Sequence, residues 1–172
     1  MNDQETKPET SKSPQEMLVI VFLDIDGVLN SNDFVESSRF DKHGEYPDQH
    51  LDTLAIERVN KLCKSTGAKI VISSTWRSNP EVFDVLKRNG LTAEIIGVTP
   101  HSDKKLPNGL WTREIRGKEI KQWIDKNRPD RYCIIDDDTD MLPEQKPHFV
   151  NTDFMHGITN KDMQKAISIL SQ

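Results

Sequence analysis

MLVIVFLDIDGVLNS, residues 17–31, runs without a break through apolar side chains up to Leu23 and then sets two carboxylates, Asp24 and Asp26, ahead of Gly27. A continuous apolar run of strand length belongs to a sheet covered on both faces, because a strand with one wet face alternates apolar and polar residues. Two acids at the end of such a strand carry a desolvation cost that a purely structural turn has no reason to accept.

Outward from this strand the chain divides simply. Residues 1–16, MNDQETKPETSKSPQE, hold no large apolar side chain after Met1 and read as a solvated, disordered tail, which leaves 17–172 as a single domain. Downstream, Asn30 to Gln49 is polar and aperiodic, a loop or small flap. Leu51, Leu54, Ile56, Val59 and Leu62 recur at helical spacing up to Gly67, and KIVIS (69–73) is a second strand. A helix follows Pro80 through Val82, Phe83, Val85 and Leu86 to Gly90. AEIIGV (93–98) is a third strand, and a polar connection leads through Pro107, Asn108 and Gly109. Ile120, Trp123 and Ile124 mark a helix that stops before Pro129. RYCIID (131–136) and HFVNT (148–152) are the fourth and fifth strands. Thr159 and Asp162 form a capping box for a last helix whose apolar face is Met163, Ala166, Ile167 and Leu170. Strands alternating with helices predict an α/β, three-layer Rossmann-like sandwich around a mostly parallel sheet of about five strands.

Composition narrows the functional classes. The chain has 172 residues, 34% of them hydrophobic, and a formal charge of −5, which argues against coating nucleic acid by bulk electrostatics but leaves room for a local grip on one phosphate end. The tail has the makeup of neither a signal nor a transit peptide, and no apolar run approaches the ~18 residues of a membrane span. A soluble, cytoplasmic protein with no membrane partner is expected. Cys63 and Cys133 lack metal-ligand spacing and are expected to be buried free thiols.

Ligands of open α/β sheets bind beyond the carboxyl ends of the strands. Those ends here carry Asp24 and Asp26, then Ser73, Ser74 and Thr75 with Trp76 and Arg77, then Asp136, Asp137 and Asp138 with Asp140 close behind. Arg113, Arg116 and Lys118 approach at the start of the helix that feeds the fourth strand. Crowded carboxylates must take up protons or bind a cation, and an all-oxygen set suits Mg²⁺. An EF-hand loop does not fit, since Gly27 comes too early and the later ligands are missing.

This arrangement resembles the haloacid dehalogenase (HAD) superfamily of phosphohydrolases. Asp24-Ile25-Asp26-Gly27 meets the first motif, Ser73-Ser74-Thr75 contains the second, and Ile134-Ile135-Asp136-Asp137 meets the fourth. The third, one basic residue, is open among Arg116, Lys118 and Arg113. ISSTWR with a later RGKEI and DD also resembles the compact HAD domains found with nucleic-acid repair enzymes. The resemblance implies Asp24 as nucleophile, forming an aspartyl-phosphate, and Asp26 as general acid and base. It implies Mg²⁺ held by Asp24, the main-chain carbonyl of Asp26 and one of the acids of the fourth motif, Asp136 before its neighbour Asp137, with the hydroxyls of Ser74 and Thr75 and the charge of Arg116 or Lys118 on the phosphate. The two gaps where such proteins carry cap inserts are too short here for a full cap domain. The expected substrate is a phosphate monoester, preferably a nucleotide or nucleic-acid end. A small-metabolite or phosphosugar phosphatase is the alternative enzyme, and an inactive binding module the alternative class. Trp76 and Arg77 admit two readings: a stacking and phosphate-gripping platform, or an indole packed under the next helix with a paired guanidinium.

Overall fold

A computed structural model describes residues 17–44, 50–102, 104–105, 107–108, 111–112 and 115–172. The expected tail, residues 45–49 of the expected flap, and Arg113 lie outside the described residues.

Strand β1 (Val19–Leu23) is buried along its whole length. It lies at the centre of a five-stranded parallel sheet in the order β3-β2-β1-β6-β7, with β2 at Lys69–Ile72, β3 at Ile95–Val98, β6 at Arg131–Asp136 and β7 at Phe149–Asn151. The central position accounts for the unbroken apolar run. Val19, Val21 and Leu23 face one core, while Ile20 and Phe22 face the other.

Helices α2 (Thr53–Thr66), α3 (Val82–Arg88) and α5 (Asn160–Leu170) contribute Ile56, Val59, Leu62, Leu86, Met163 and Leu170 to the first core. Helix α4 (Arg116–Asn127) covers the opposite face with Ile120 and Trp123. Three layers result. The chain steps outward from β1 to β3 on one side, then crosses to β6 on the other, so strand order reverses between β1 and β6.

The helix ends follow local chemistry. Asp52 caps α2 by accepting from the Leu54 N–H, and Gly67 closes it at φ 68°. The capping box of Thr159 and Asp162 opens α5. Helix α4 has no side-chain cap of its own. The Asp140 carboxylate accepts from the Arg116 N–H at 2.9 Å, and its carbonyl accepts from the Gly117 N–H at 3.3 Å.

Two segments read as loops contain short elements. Between β1 and α2 lies α1 (Asn32–Glu36), anchored by the buried Phe34 and the Ser31 cap. Its first N–H groups donate to the carbonyls of Phe154 and Met155, which ties it to the loop after β7. Between β3 and α4, β4 (Lys104–Lys105) pairs antiparallel with β5 (Trp111–Thr112). A five-residue helix and two-residue strands are too short to impose a hydrophobic period, so neither is visible in the pattern of side chains. Neither amounts to a cap domain. Among the described residues no helix is long and apolar enough to cross a membrane.

Candidate active site

Pairing of β1 with β6 runs to the Leu23–Ile135 register, and the Asp24 N–H donates to the Ile135 carbonyl at 3.0 Å. This sets Asp24 beside Asp136, the last residue of β6. Both are buried, and one oxygen each of Asp24, Asp136 and Asp137 lies within 4.8 Å of the others. The turn that presents them is held from several sides. Asp136 accepts from the Asp138 N–H, and the Asn151 amide donates to the carbonyls of Asp136 and Asp137.

Gly27 makes this crowding possible. Its φ is 69°, and a Cβ there would stand 2.4 Å from the Asp137 carboxyl carbon and 2.5 Å from one of its oxygens. Gly27→Ala combines a strained backbone, about 1–3 kcal/mol, with displacement of Asp137. The expected outcome is a lower melting temperature together with a higher Mg²⁺ concentration for half-maximal effect, both read from thermal melts at graded Mg²⁺. A variant that matches the parent in both would show that the close approach is unimportant.

Arg116 enters this cluster from α4. Its Nη1 lies 2.8 Å from Asp24 Oδ1 and 2.9 Å from Asp136 Oδ2, with the side chain buried. Gly117 lets the first turn of α4 press on the following segment, since a Cβ there would meet Gln145 Oε1 and the Leu142 N–H nitrogen at 2.7 Å. Burial opposes the Arg116 charge, but Asp24 and Asp136 outweigh it and hold its pKa above the ordinary arginine value. The same burial, reinforced by Asp24 and opposed by Arg116, pushes Asp136 up from 3.8 to about 8. Asp137 is raised as well, by burial and then by Asp24.

One guanidinium therefore faces three carboxylates. Asp136 Oδ2 is buried without an aligned hydrogen-bond donor, so its contact with Arg116 is one of charge alone. A hard divalent cation fits this set: the donors are all oxygen, the excess charge is negative, and a buried lone pair lacks a partner.

Asp26 stands outside the cluster with both carboxylate oxygens engaged. Oδ1 accepts from the Asn30 amide at 2.7 Å, and Oδ2 accepts from the Trp76 indole N–H at 2.9 Å. Ser74, at the end of β2, is buried and caps a 3₁₀ turn over Thr75–Ser78 by accepting from the Trp76 backbone N–H. Its hydroxyl proton remains available to donate elsewhere. Thr75 is exposed on that turn.

Lys118 is exposed, two residues and so about 200° around α4 from Arg116. The structure brings Arg116, and not Lys118, against the acids.

Of the two readings of Arg77, its surroundings are those of a paired guanidinium. Its side chain is buried against Glu119 of α4, with Nη2 2.6 Å from Oε2, and Nη1 donates to the carbonyls of Ser73 and Ser74. Breaking a buried pair of this kind costs about 3–5 kcal/mol, which a grip on substrate by this guanidinium would have to offset. The pair ties the Ser74 turn to the helix that carries Arg116 one turn earlier. Trp76 is likewise turned to Asp26 by its N–H.

A family model for the HAD domain in Swiss Army Knife RNA repair proteins matches residues 20–163, from within β1 to within α5. The chain belongs to this family. Neither the curated proteins nor the solved structures provide a match. The matched span of the HAD domain contains every strand end that contributes to the acidic cluster, together with Arg116.

Asn30 and Asn151 escape a reading of the sequence as motifs, and Glu119 and Asp140, which lie in stretches that such a reading singles out, receive no structural role from it. Each acts through contacts set by the fold. Only Asn30, four residues beyond Asp26 and bonded to it, carries a local signal that could have been noticed. Glu119 also accepts from the Ser102 N–H, which holds the chain leading to β4.

Proposed function

We propose that this chain is an Mg²⁺-dependent phosphomonoester hydrolase acting on the terminal phosphates of nucleic acids or nucleotides. The observation that carries the reading is the division of labour between two acids two residues apart. Asp24 lies among the acids and Arg116, while Asp26 is held outside them by Asn30 and Trp76.

In the first step an Asp24 oxygen attacks phosphorus as the ester P–O bond breaks. The leaving oxygen keeps the bonding pair and takes a proton from Asp26. In the second step Asp26 takes a proton from water, whose oxygen attacks the aspartyl-phosphate and releases inorganic phosphate and Asp24. Arg116 and the Ser74 hydroxyl hold non-bridging oxygens as charge moves. Asp24, Asp136, Asp137 and the Asp26 carbonyl would hold Mg²⁺, which screens the repulsion between the attacking carboxylate and the phosphate.

Support for the substrate class comes from two directions: the matching family is named for RNA repair proteins, and among the described residues only α1 and the β4–β5 hairpin flank the strand ends in place of a cap. A site without a lid admits the end of a long molecule, whereas a lid encloses a small one. RNA ends are met inside the cell, in keeping with two free cysteines. The test is phosphate release in Mg²⁺ from 3′- and 5′-phosphorylated oligoribonucleotides, mononucleotides and sugar phosphates. Higher kcat/KM on the oligonucleotide or nucleotide phosphates is expected. Sugar phosphates outperforming all of them would transfer the assignment to small metabolites, and no release from any would leave a binding module.

A further inference from the structure

We infer that Trp76 and Asn30 are positioning residues that aim the Asp26 carboxylate at the leaving group, an inference that rests on the reading of Asp26 as proton donor. Two donors reach the two oxygens from different elements. Asn30 Nδ2 donates to Oδ1 at 2.7 Å from the loop after β1, and Trp76 Nε1 donates to Oδ2 at 2.9 Å from the turn after β2. Both donors are themselves oriented. The Asn30 carbonyl oxygen accepts from the Gly27 N–H at 3.1 Å, which turns its NH₂ toward Asp26. The Trp76 backbone N–H is held by Ser74 Oγ, and its indole is half-buried against the larger core.

A carboxylate on two rotatable bonds loses its aim without such contacts, and misplacement by about 1 Å costs catalysis heavily. One donor on each oxygen fixes rotation about the Cβ–Cγ bond. Because a carboxylate offers about four lone-pair positions, one on each oxygen stays open to a leaving-group or water oxygen. Ser74 links the arrangement to the phosphate, since the turn it caps is the one that carries Trp76. The place of the phosphate and the aim of the acid are thereby set by one short segment.

The test has a spectroscopic arm and a kinetic arm. In ¹⁵N-labelled protein the three tryptophans give three indole N–H signals, and the signal lost in Trp76→Phe is that of Trp76. In Asp26→Ala this signal should move upfield as the charged acceptor disappears. The Trp123 signal, from a ring 5.4 Å from Phe22 in the core, should stay in place and report an intact fold. An unmoved Trp76 signal overturns the inference whatever the activity.

In the kinetic arm, Trp76→Phe and Asn30→Ala should each lower kcat on an alkyl phosphate by about tenfold with KM unchanged, a fraction of the ~10²–10⁴ that general acid–base catalysis supplies. Loss on p-nitrophenyl phosphate, whose leaving group needs little protonation, should be much smaller. Neither change should add to the loss in Asp26→Asn. Equal losses on both esters would mark a merely structural role. Full alkyl-ester activity in Asp26→Asn overturns Asp26 as proton donor and the positioning role with it. A loss at Asp26 without one at Trp76 or Asn30 overturns the positioning role alone.

Discussion

Asp24→Asn should lower phosphate release by several powers of ten while the protein stays folded. Asparagine keeps the shape of aspartate, and its amide can still meet the surroundings of a buried side chain. It cannot, however, supply the electron pair that forms the aspartyl-phosphate. Arg116 retains Asp136 at 2.9 Å in this variant, so the guanidinium is not left unpaired. Single-turnover release measured beside a melting curve separates loss of chemistry from loss of fold. Release near the parent rate would refute Asp24 as the nucleophile.

Removal of divalent cation should abolish turnover, and Mg²⁺ should restore it where Ca²⁺, which prefers more ligands at longer distance, should not. Turnover undiminished after exhaustive chelation would remove the cation from the reading. The same site predicts how the metal-free protein responds to pH. Asp136 is raised from 3.8 to about 8 by burial and by Asp24, so between those values the folded state holds a proton that the unfolded chain has released. Stability therefore falls as pH rises through this window. The raised Asp137 contributes in the same direction. Mg²⁺ bound to the deprotonated acids should flatten or reverse the decline. Asp136→Asn removes the repelling charge, so the metal-free variant should melt above the parent at pH 8 yet gain little from Mg²⁺ and lose turnover. A parent whose metal-free melting temperature rises steadily from pH 4 to pH 8 would contradict this account.

The pairing of Arg77 with Glu119 has a wider meaning for the site. A basic residue next to a buried strand-end hydroxyl invites the reading of a grip on substrate, but the charge is already matched by Glu119. The pair instead holds together two separate parts of the site, the Ser74 turn and the first turns of α4.

The residues by themselves determined the layered fold. Apolar runs at 17–24, 69–73 and 131–136, with Gly67, Pro129 and the Thr159–Asp162 box between the helices, are local signals, and local hydrogen bonding and burial obey them. The pairing of Asp24 with Asp136 was legible for the same reason, because each acid ends a strand and adjacent parallel strands bring their ends together. What a cation or guanidinium does depends on direction in space, which the order of residues does not contain. Arg116 and Lys118 are equivalent in a string of letters, and only the phase of α4 and the approach of its first turn put one against the acids and the other outward. Trp76 and Arg77 are neighbours in sequence, yet β1 supplies an acceptor for the indole and α4 an anion for the guanidinium, so their roles were decided when those elements packed on either side of the turn.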